Sequence, residues 1–164
     1  MMFVVFVTGV RSSGKSTLAR YLALHGHDAV SLDDDTAWTA GTSRHWDPDR
    51  LDALISTARD RGVQTLWLVG HADNAPDLSA RFDVCALLDI DQTTVVHRVG
   101  QRRGDNHFGD SGAALQKALE SHTSFLAQWR RRGAVTVDAT APVQAVAQQL
   151  LTAVAATVLT REPH

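Results

Sequence analysis

The sequence is poor in cysteine and has almost no charge imbalance. A single cysteine among 164 residues excludes an internal disulfide, fits a reducing compartment, and leaves Cys85 as a buried structural thiol in an apolar run. The chain carries 16 basic and 18 acidic side chains, a formal net charge of -2. Nothing global therefore attracts it to nucleic acid or to an anionic membrane, and any affinity for anions must be local.

Long hydrophobic runs are also missing. We find no apolar stretch that approaches the roughly 18 residues needed to cross a bilayer. The N-terminal "MMFVVFV" lacks the basic start and the small-residue cleavage site of a signal peptide, so we interpret it as a strand. The length suits one compact domain over residues 1–164. We expect a cytoplasmic protein without membrane contact.

Five short apolar runs rich in valine and leucine alternate with helix-compatible segments. They cover residues 3–7, 29–32, 65–69, 84–88 and 134–137. Near-continuous apolar runs are typical of strands that are buried on both faces, and their separation by helices predicts a parallel α/β sheet with right-handed crossovers.

Helical spacing and end signals predict five helices. The first follows a glycine loop and ends near Gly26. The second has Asp47 as its N-cap and Pro48 as its first residue, and it ends at Gly62. The remaining three cover residues 92–103, 113–132 and 142–159.

Two polar, glycine-containing stretches have no clear assignment. They cover residues 33–46 and 104–112, just beyond a strand or a helix end. Such loops commonly carry function. We expect an acceptor-binding segment at about 33–62 and a lid at about 103–113.

The stretch "GVRSSGKS", residues 9–16, matches G-x-x-x-x-G-K-[ST] between a predicted strand and a predicted helix. Its glycines allow close backbone approach, the amide groups face an anion, Lys15 reaches the outer phosphates, and the Ser16 hydroxyl ligates Mg²⁺. The ATP-binding residues predicted here are Gly9, Arg11, Ser12, Ser13, Gly14, Lys15, Ser16 and Thr17. Kinases, NTPase switches and motor ATPases all need this cradle.

Three carboxylates, Asp33, Asp34 and Asp35, follow the second strand. The carboxyl ends of parallel strands share one crevice, so the cluster is expected beside the phosphate loop. Asp33 is the predicted metal-shell and catalytic carboxylate, and Asp33 or Asp35 would orient or deprotonate an acceptor hydroxyl. The alternative is that one of them, Asp34 above all, only caps a helix.

The third strand ends in "GHADN", without the carboxylate that a switch or motor ATPase usually places there. Gly70 permits close approach, so His71 and Asn74 become candidate acceptor contacts, with plain turn chemistry as the alternative. Trp38 and Trp46 lie in the unassigned loop, where an aromatic side chain has more reason to touch a ligand. Core or half-buried packing is expected for His122, Trp67 and Trp129.

Arg98 and Arg102 lie one helical turn apart ahead of a glycine-flanked loop. This placement suits a lid whose arginines neutralise transition-state charge. The alternative is a solvated helical face with Arg103 near its C-terminus. The run 130–132 is interpreted as a helix C-terminus with favourable dipole chemistry.

Together these features resemble the small P-loop kinases related to nucleoside monophosphate kinases and shikimate kinase. The resemblance rests on "GVRSSGKST", the carboxylates after the second strand, Gly70-x-Ala72-x-Asn74, Arg98-x-x-x-Arg102 before 106–109, and "VDATAP". It implies a five-stranded sheet in the order 2-3-1-4-5 with helices on both faces, ATP as donor, and Mg²⁺. It also implies adenine packing by Arg98, phosphate contact by Arg102, and a base-edging segment 138–142 that includes Thr140 and Pro142.

The acceptor motifs of shikimate and adenylate kinases are missing, and Arg44, Arg50 and Arg81 are the substitutes that the chain offers. We expect an ATP- and Mg²⁺-dependent phosphotransferase with a small-molecule acceptor, nucleoside monophosphates ahead of other metabolites. The alternatives are a nucleotide-binding regulator or ATPase switch without a small acceptor, and a kinase for a metabolite or antibiotic hydroxyl or a nucleic-acid end. Nucleic acid is disfavoured by the charge balance.

Overall fold

The structure is a computed structural model that describes residues 2–9, 13–32, 45–90 and 112–161. Within them five strands form one parallel sheet in the order β2-β3-β1-β4-β5. The strands are β1 (Phe3–Gly9), β2 (Asp28–Ser31), β3 (Thr65–Val69), β4 (Val84–Asp89) and β5 (Val135–Asp138). The predicted fold class and strand order are confirmed.

Strand β1 forms the centre of the sheet. It pairs with β3 from Phe3 opposite Thr65, and with β4 from Val5 opposite Val84. Residues Val4 to Gly9 are buried. Because β1 is hydrogen-bonded on both edges and covered on both faces, the loop that follows it starts from the most constrained part of the sheet.

Four α-helices cover the sheet in the described part of the chain. They are α1 (Lys15–Leu24), α2 (Pro48–Asp60), α3 (Gly112–Arg131) and α4 (Val143–Arg161). The Asp47 side chain accepts a hydrogen bond from the Asp49 amide at 3.0 Å, which confirms the predicted cap. A 3₁₀ helix at Ala75–Arg81 was not predicted from the sequence. The predicted helix over 92–103 lies outside the described residues.

Successive residues of β1 point to opposite faces of the sheet and enter two different cores. Val5 and Val7 belong to the first core cluster, which α1 and α4 cover; it includes Leu18, Leu22, Trp67, Val146, Leu150 and Val154. Val4 and Phe6 belong to the second core cluster, which α2 and α3 cover; it includes Trp46, Leu51, Ile55, Phe82, Leu126 and Trp129. Helices on both faces produce three layers.

Phe6 is the aromatic centre of the second core cluster. Its ring stacks on Phe82 at 4.6 Å between centroids, meets Trp46 edge-on at 5.6 Å, and lies 5.4 Å from Trp129. The prediction that Trp46 touches a ligand was therefore wrong, because Trp46 is only 1 % exposed. Apolar burial outweighs its position in a polar loop.

Two further expectations need correction. Cys85 is half-buried rather than buried, and it packs at the border of the second core cluster. The sequence does contain one apolar stretch of the length that crosses a bilayer: Val143–Thr160 of α4 has a mean hydropathy of 1.4. By length and composition alone, this stretch could cross a membrane. Its inward residues Val146 and Leu150 pack in the first core cluster, as those of a core helix do.

Truncating Trp46 tests this core. Trp46→Ala is expected to lower the free energy of unfolding by about 3–5 kcal/mol, because it removes a large buried ring beside Phe6. Leu24→Ala is the control, because Leu24 is 77 % exposed and should change stability by no more than about 0.5 kcal/mol. Urea unfolding measures both, and equal effects would contradict the assignment of Trp46 to the core.

Candidate active site

The described part of the phosphate loop begins at Gly9, at the end of β1, and leads into α1 through Ser13 and Gly14. A Cβ atom on Gly9 would lie 2.3 Å from Ser13 Oγ and 3.1 Å from Leu88 Cβ. Gly14 has φ of +90°, a left-handed conformation that favours glycine. Both fixed glycines of the motif thus have a steric or conformational reason to be glycine.

The start of α1 is prepared for an anion. Its first turn holds no acidic side chain, and its N-cap Gly14 supplies no side-chain hydrogen bond, a composition that suits an anion at a helix N-terminus. Lys15 Nζ donates to the Gly9 carbonyl oxygen at 2.9 Å, which places the ammonium group across the loop. The exposed Ser16 and Thr17 follow in the same turn.

Two buried hydroxyls lie at the base of the phosphate loop. Ser13 is 3 % exposed and Thr8 is fully buried, and neither Oγ has a hydrogen-bond partner among the described residues. An unpaired buried hydroxyl costs on the order of 1–3 kcal/mol.

Backbone hydrogen bonds bring the ends of three strands to one edge. The Gly70 amide donates to the Val7 carbonyl at 3.0 Å, and the Leu32 amide donates to the Val69 carbonyl at 2.8 Å. Leu32, the last described residue before the predicted carboxylate cluster, therefore lies at the edge where Gly9 and Gly70 lie. Asp33, Asp34 and Asp35 themselves lie outside the described residues.

His71 follows Gly70 and is half-buried. Its Nε2 lies 3.8 Å from Asp73 Oδ1, and its ring meets Phe125 of α3 edge-on at 5.1 Å between centroids. Contact with an acceptor stays a prediction for Gly70 and His71. The structure adds Phe125, for which the sequence offered only helical spacing as a signal.

Asn74 joins the loop after β3 to the segment before α2. Its Oδ1 accepts from the Trp46 amide and its Nδ2 donates to the Trp46 carbonyl, both at 2.9 Å. This pair of bonds holds the second core cluster and the loop together. Acceptor contact by Asn74 stays a prediction that would use its remaining N–H and lone pair.

A cavity of about 310 Å³ opens between the loop after β3 and α3. This volume is at the lower end of the range for small-molecule sites. Its described lining residues are His71, Ala72, Asp73, Pro76, Ser124, Phe125, Gln128 and Trp129.

The segment after β5 forms a tight turn. Asp138 Oδ1 accepts from the Thr140 amide at 3.0 Å and from the Thr140 hydroxyl at 2.6 Å. The Ala139 amide donates to the Asp89 carbonyl at 2.8 Å and extends the β4–β5 pairing. Thr140 and Pro142 are exposed, and their contact with a base stays a prediction.

Several arginines are occupied elsewhere. Arg81 makes a two-point ion pair with Asp52, at 2.7 Å and 3.2 Å. Its hydrogen bond lowers the pKa of Asp52, and the carboxylate in turn raises the pKa of Arg81. The Arg81 side chain thus binds Asp52 of α2, so the prediction that it substitutes for an acceptor-binding arginine is not supported. Arg130 forms an ion pair with Asp89 at the end of β4. The run 130–132 therefore makes a tertiary contact in addition to the predicted interaction with the helix dipole.

The other predicted site residues lie outside the described residues. They are Arg11 and Ser12 of the phosphate loop, Asp35, Trp38 and Arg44 of the acceptor-binding segment, and Arg98 and Arg102 of the lid.

Substituting Gly9 tests the cradle. Gly9→Ala is expected to weaken ATP binding at least about tenfold, because the new methyl group must displace Ser13. Gly133→Ala is the control, because it adds a methyl group to a glycine at a turn after α3, where a Cβ meets nothing within 4 Å. Titration with a fluorescent ATP analogue measures both. Equal affinity of Gly9→Ala and the wild type would contradict the cradle.

Comparisons with known proteins place the fold. No family model and no curated protein matches the chain. Among solved structures, a gluconokinase from Sinorhizobium meliloti 1021 is 20 % identical, with a TM-score of 0.57 and 99 % of this chain and 98 % of that chain covered. TT1252 from Thermus thermophilus is 17 % identical, with a TM-score of 0.60 and 94 % and 97 % covered.

A sugar kinase from Janibacter sp. HTCC2649 is 20 % identical, with a TM-score of 0.50 and coverage of 93 % and 94 %. At such identities the likeness shows the fold. The chain has the α/β fold of these solved structures over nearly its whole length; the narrower resemblance to nucleoside monophosphate and shikimate kinases is not confirmed.

Proposed function

We propose that this protein is an ATP- and Mg²⁺-dependent phosphotransferase that moves the γ-phosphate of ATP to a hydroxyl group of a small molecule in the cytoplasm. One observation carries the proposal. The described residues at the two ends of the loop between β1 and α1 support a phosphate cradle: Gly9 packs against Ser13, Gly14 is left-handed, and the Lys15 ammonium group donates to the Gly9 carbonyl. The overall fold, shared with solved kinases, supports the same conclusion.

The donor side consists of α1 and the loops around it. Lys15 would bind the β- and γ-phosphates, and the amide groups of the first turn would bind their oxygens. Ser16 and Asp33 would hold Mg²⁺, and the exposed position of Ser16 in the first turn fits this role. When bound, Mg²⁺ neutralises charge on the phosphates. Thr140 and Pro142 would edge the adenine, with Arg98 packed on it.

The acceptor hydroxyl oxygen would form a bond to the γ-phosphorus while the bond from that phosphorus to the bridging oxygen of ADP breaks. Asp33 or Asp35 would orient the hydroxyl and take its proton, and Arg102 would neutralise the transferring group. Trp38 and Arg44 would complete the acceptor segment. Exclusion of water is required, since water competes with the acceptor, and this is the reason for a lid.

The class of acceptor follows from two considerations. Solved structures with this fold include a gluconokinase and a sugar kinase, and this supports a hydroxyl-bearing metabolite as acceptor. Nothing in the comparisons supports the preference for nucleoside monophosphates. We therefore place a metabolite hydroxyl first and keep nucleoside monophosphates as an arm of the test.

Removing the Lys15 ammonium group tests the donor site. Lys15→Ala is expected to reduce phosphoryl transfer by at least about 100-fold, because a charge aimed at the transferring group is lost. Arg20→Ala is the matched control: it removes an exposed cation from the same helix and should leave the rate unchanged. A coupled assay of ADP formation measures both, with circular dichroism to check folding. Full activity of Lys15→Ala would overturn the proposal.

An acceptor panel tests the reaction. The protein is incubated with ATP, Mg²⁺ and separate sets of sugars, sugar acids, polyols, shikimate, nucleoside monophosphates and oligonucleotides. We expect one hydroxyl-bearing metabolite to accelerate ADP formation and to gain the mass of one phosphoryl group. Slow hydrolysis that no compound accelerates would instead favour a nucleotide-binding regulator.

A further inference from the structure

Asp73, in the loop after β3, is a carboxylate without a structural task among the described residues. Its side chain is 61 % exposed, and its one ion-pair contact there is with His71 Nε2, 3.8 Å from Oδ1, which is longer than a hydrogen bond. The 3₁₀ helix that follows has Asn74 as its N-cap and no side-chain cap hydrogen bond. Neither a cap nor a close ion pair therefore accounts for a carboxylate at this position.

The Asp73 side chain lines the cavity of about 310 Å³ between the loop after β3 and α3. On the opposite side of this cavity, α3 contributes Ser124, Phe125 and Gln128, and Pro76 adds an apolar surface. The volume is at the lower end of the range for ligand sites, so the cavity suits a small molecule. Its lining combines one carboxylate, neutral polar groups and an aromatic ring.

The charge of the cavity selects against anions. Among its described lining residues none is a lysine or an arginine, and Asp73 is the carboxylate. Arg132 donates to the Pro76 carbonyl oxygen at 3.4 Å but is not one of the lining residues, and Arg130 forms an ion pair with Asp89. A carboxylate without a facing arginine or lysine attracts cations and repels anions.

Phe125 supplies a surface that suits a cation. It is half-buried, and its ring is tilted by 67° from that of His71 at 5.1 Å between centroids, so the two rings do not cover each other as a stacked pair does. The face of an aromatic ring attracts an ammonium group within about 6 Å of its centroid. Ser124 and Gln128 are exposed, and their oxygen atoms accept hydrogen bonds. With Asp73 they offer acceptors for the three N–H donors of a primary ammonium group.

We propose that this cavity binds a small organic amine whose ammonium group bonds to Asp73 and lies against Phe125, with the hydrocarbon part of the molecule on Pro76. A phosphate or carboxylate group on the ligand would be repelled by Asp73 and would meet no lysine or arginine in the described lining. The inference goes beyond the proposed phosphotransfer, because it concerns a binding site whose occupancy is measured without ATP.

Three compounds of similar shape test the charge preference: benzylamine, benzyl alcohol and benzoate, which are positive, neutral and negative. Ligand-detected NMR measures their affinities at pH 8, where histidine side chains are ordinarily neutral. We expect benzylamine to bind about five- to tenfold more tightly than benzyl alcohol, and benzoate not to bind detectably. Equal affinity for the three compounds, binding of none of them, or a preference for benzoate would overturn the proposal.

Asp73→Asn removes the charge and keeps the shape of the side chain. It is expected to lower the affinity for benzylamine about three- to fivefold and to leave that for benzyl alcohol unchanged. Asp77→Asn is the matched control, because it removes an exposed carboxylate of the 3₁₀ helix that does not line the cavity. At about 0.15 M salt the Debye length is about 8 Å, which limits distant charge effects. Unchanged benzylamine affinity in Asp73→Asn, or an equal loss in both variants, would overturn the contact.

Phe125→Leu keeps an apolar side chain and removes the ring. It should weaken benzylamine binding more than benzyl alcohol binding, with circular dichroism to check folding, and equal weakening would overturn the contact between the cation and the ring. Lys15→Ala separates this inference from the proposed function, since it should lose phosphoryl transfer and bind benzylamine as the wild type does. Selective amine binding without any phosphoryl transfer would contradict the proposed function alone, and full transfer without amine selectivity would contradict this inference alone.

Discussion

The site depends on the contact between Gly9 and Ser13 at the carboxyl end of β1. A side chain on Gly9 would overlap Ser13 Oγ, so the chain can turn from the central strand into α1 along this path only with glycine there. β1 is fixed by β3 and β4 on its edges and by a core cluster on each face. The position of Lys15 and of the first amide groups of α1 is thus determined by the packing of the whole sheet.

The second core cluster connects this centre to the acceptor side. Phe6 of β1 contacts Trp46 and Trp129, Trp46 is held by the Asn74 amide, and α3 carries Phe125 to His71. The same aromatic packing therefore positions both the loop after β3 and the helix face opposite it. Interiors packed at this density deform little, so we expect the edge-on contact between His71 and Phe125 to be preformed before ligands bind.

Much of the fold was predictable because its signals are local. The run 65–69 is β3 as predicted, and Asp47 and Pro48 start α2 as their cap chemistry requires. The two fixed glycines of the phosphate-loop motif were predictable as glycines, since Gly9 has a steric cause and Gly14 a conformational one. Long-range contacts were not predictable: nothing local indicates that Trp46 packs on Phe6, that Asn74 bonds its backbone, or that Arg81 pairs with Asp52. Likewise, only the fold reveals that Phe125 of α3 meets His71 of the loop after β3.

The most direct measurement is ³¹P NMR of the wild-type protein with ATP, Mg²⁺ and the sugar and polyol set, followed over time. The account predicts that the γ-phosphate resonance of ATP decays while a phosphomonoester resonance of the acceptor grows in step with ADP. Growth of inorganic phosphate alone, at a rate independent of every acceptor, would contradict it.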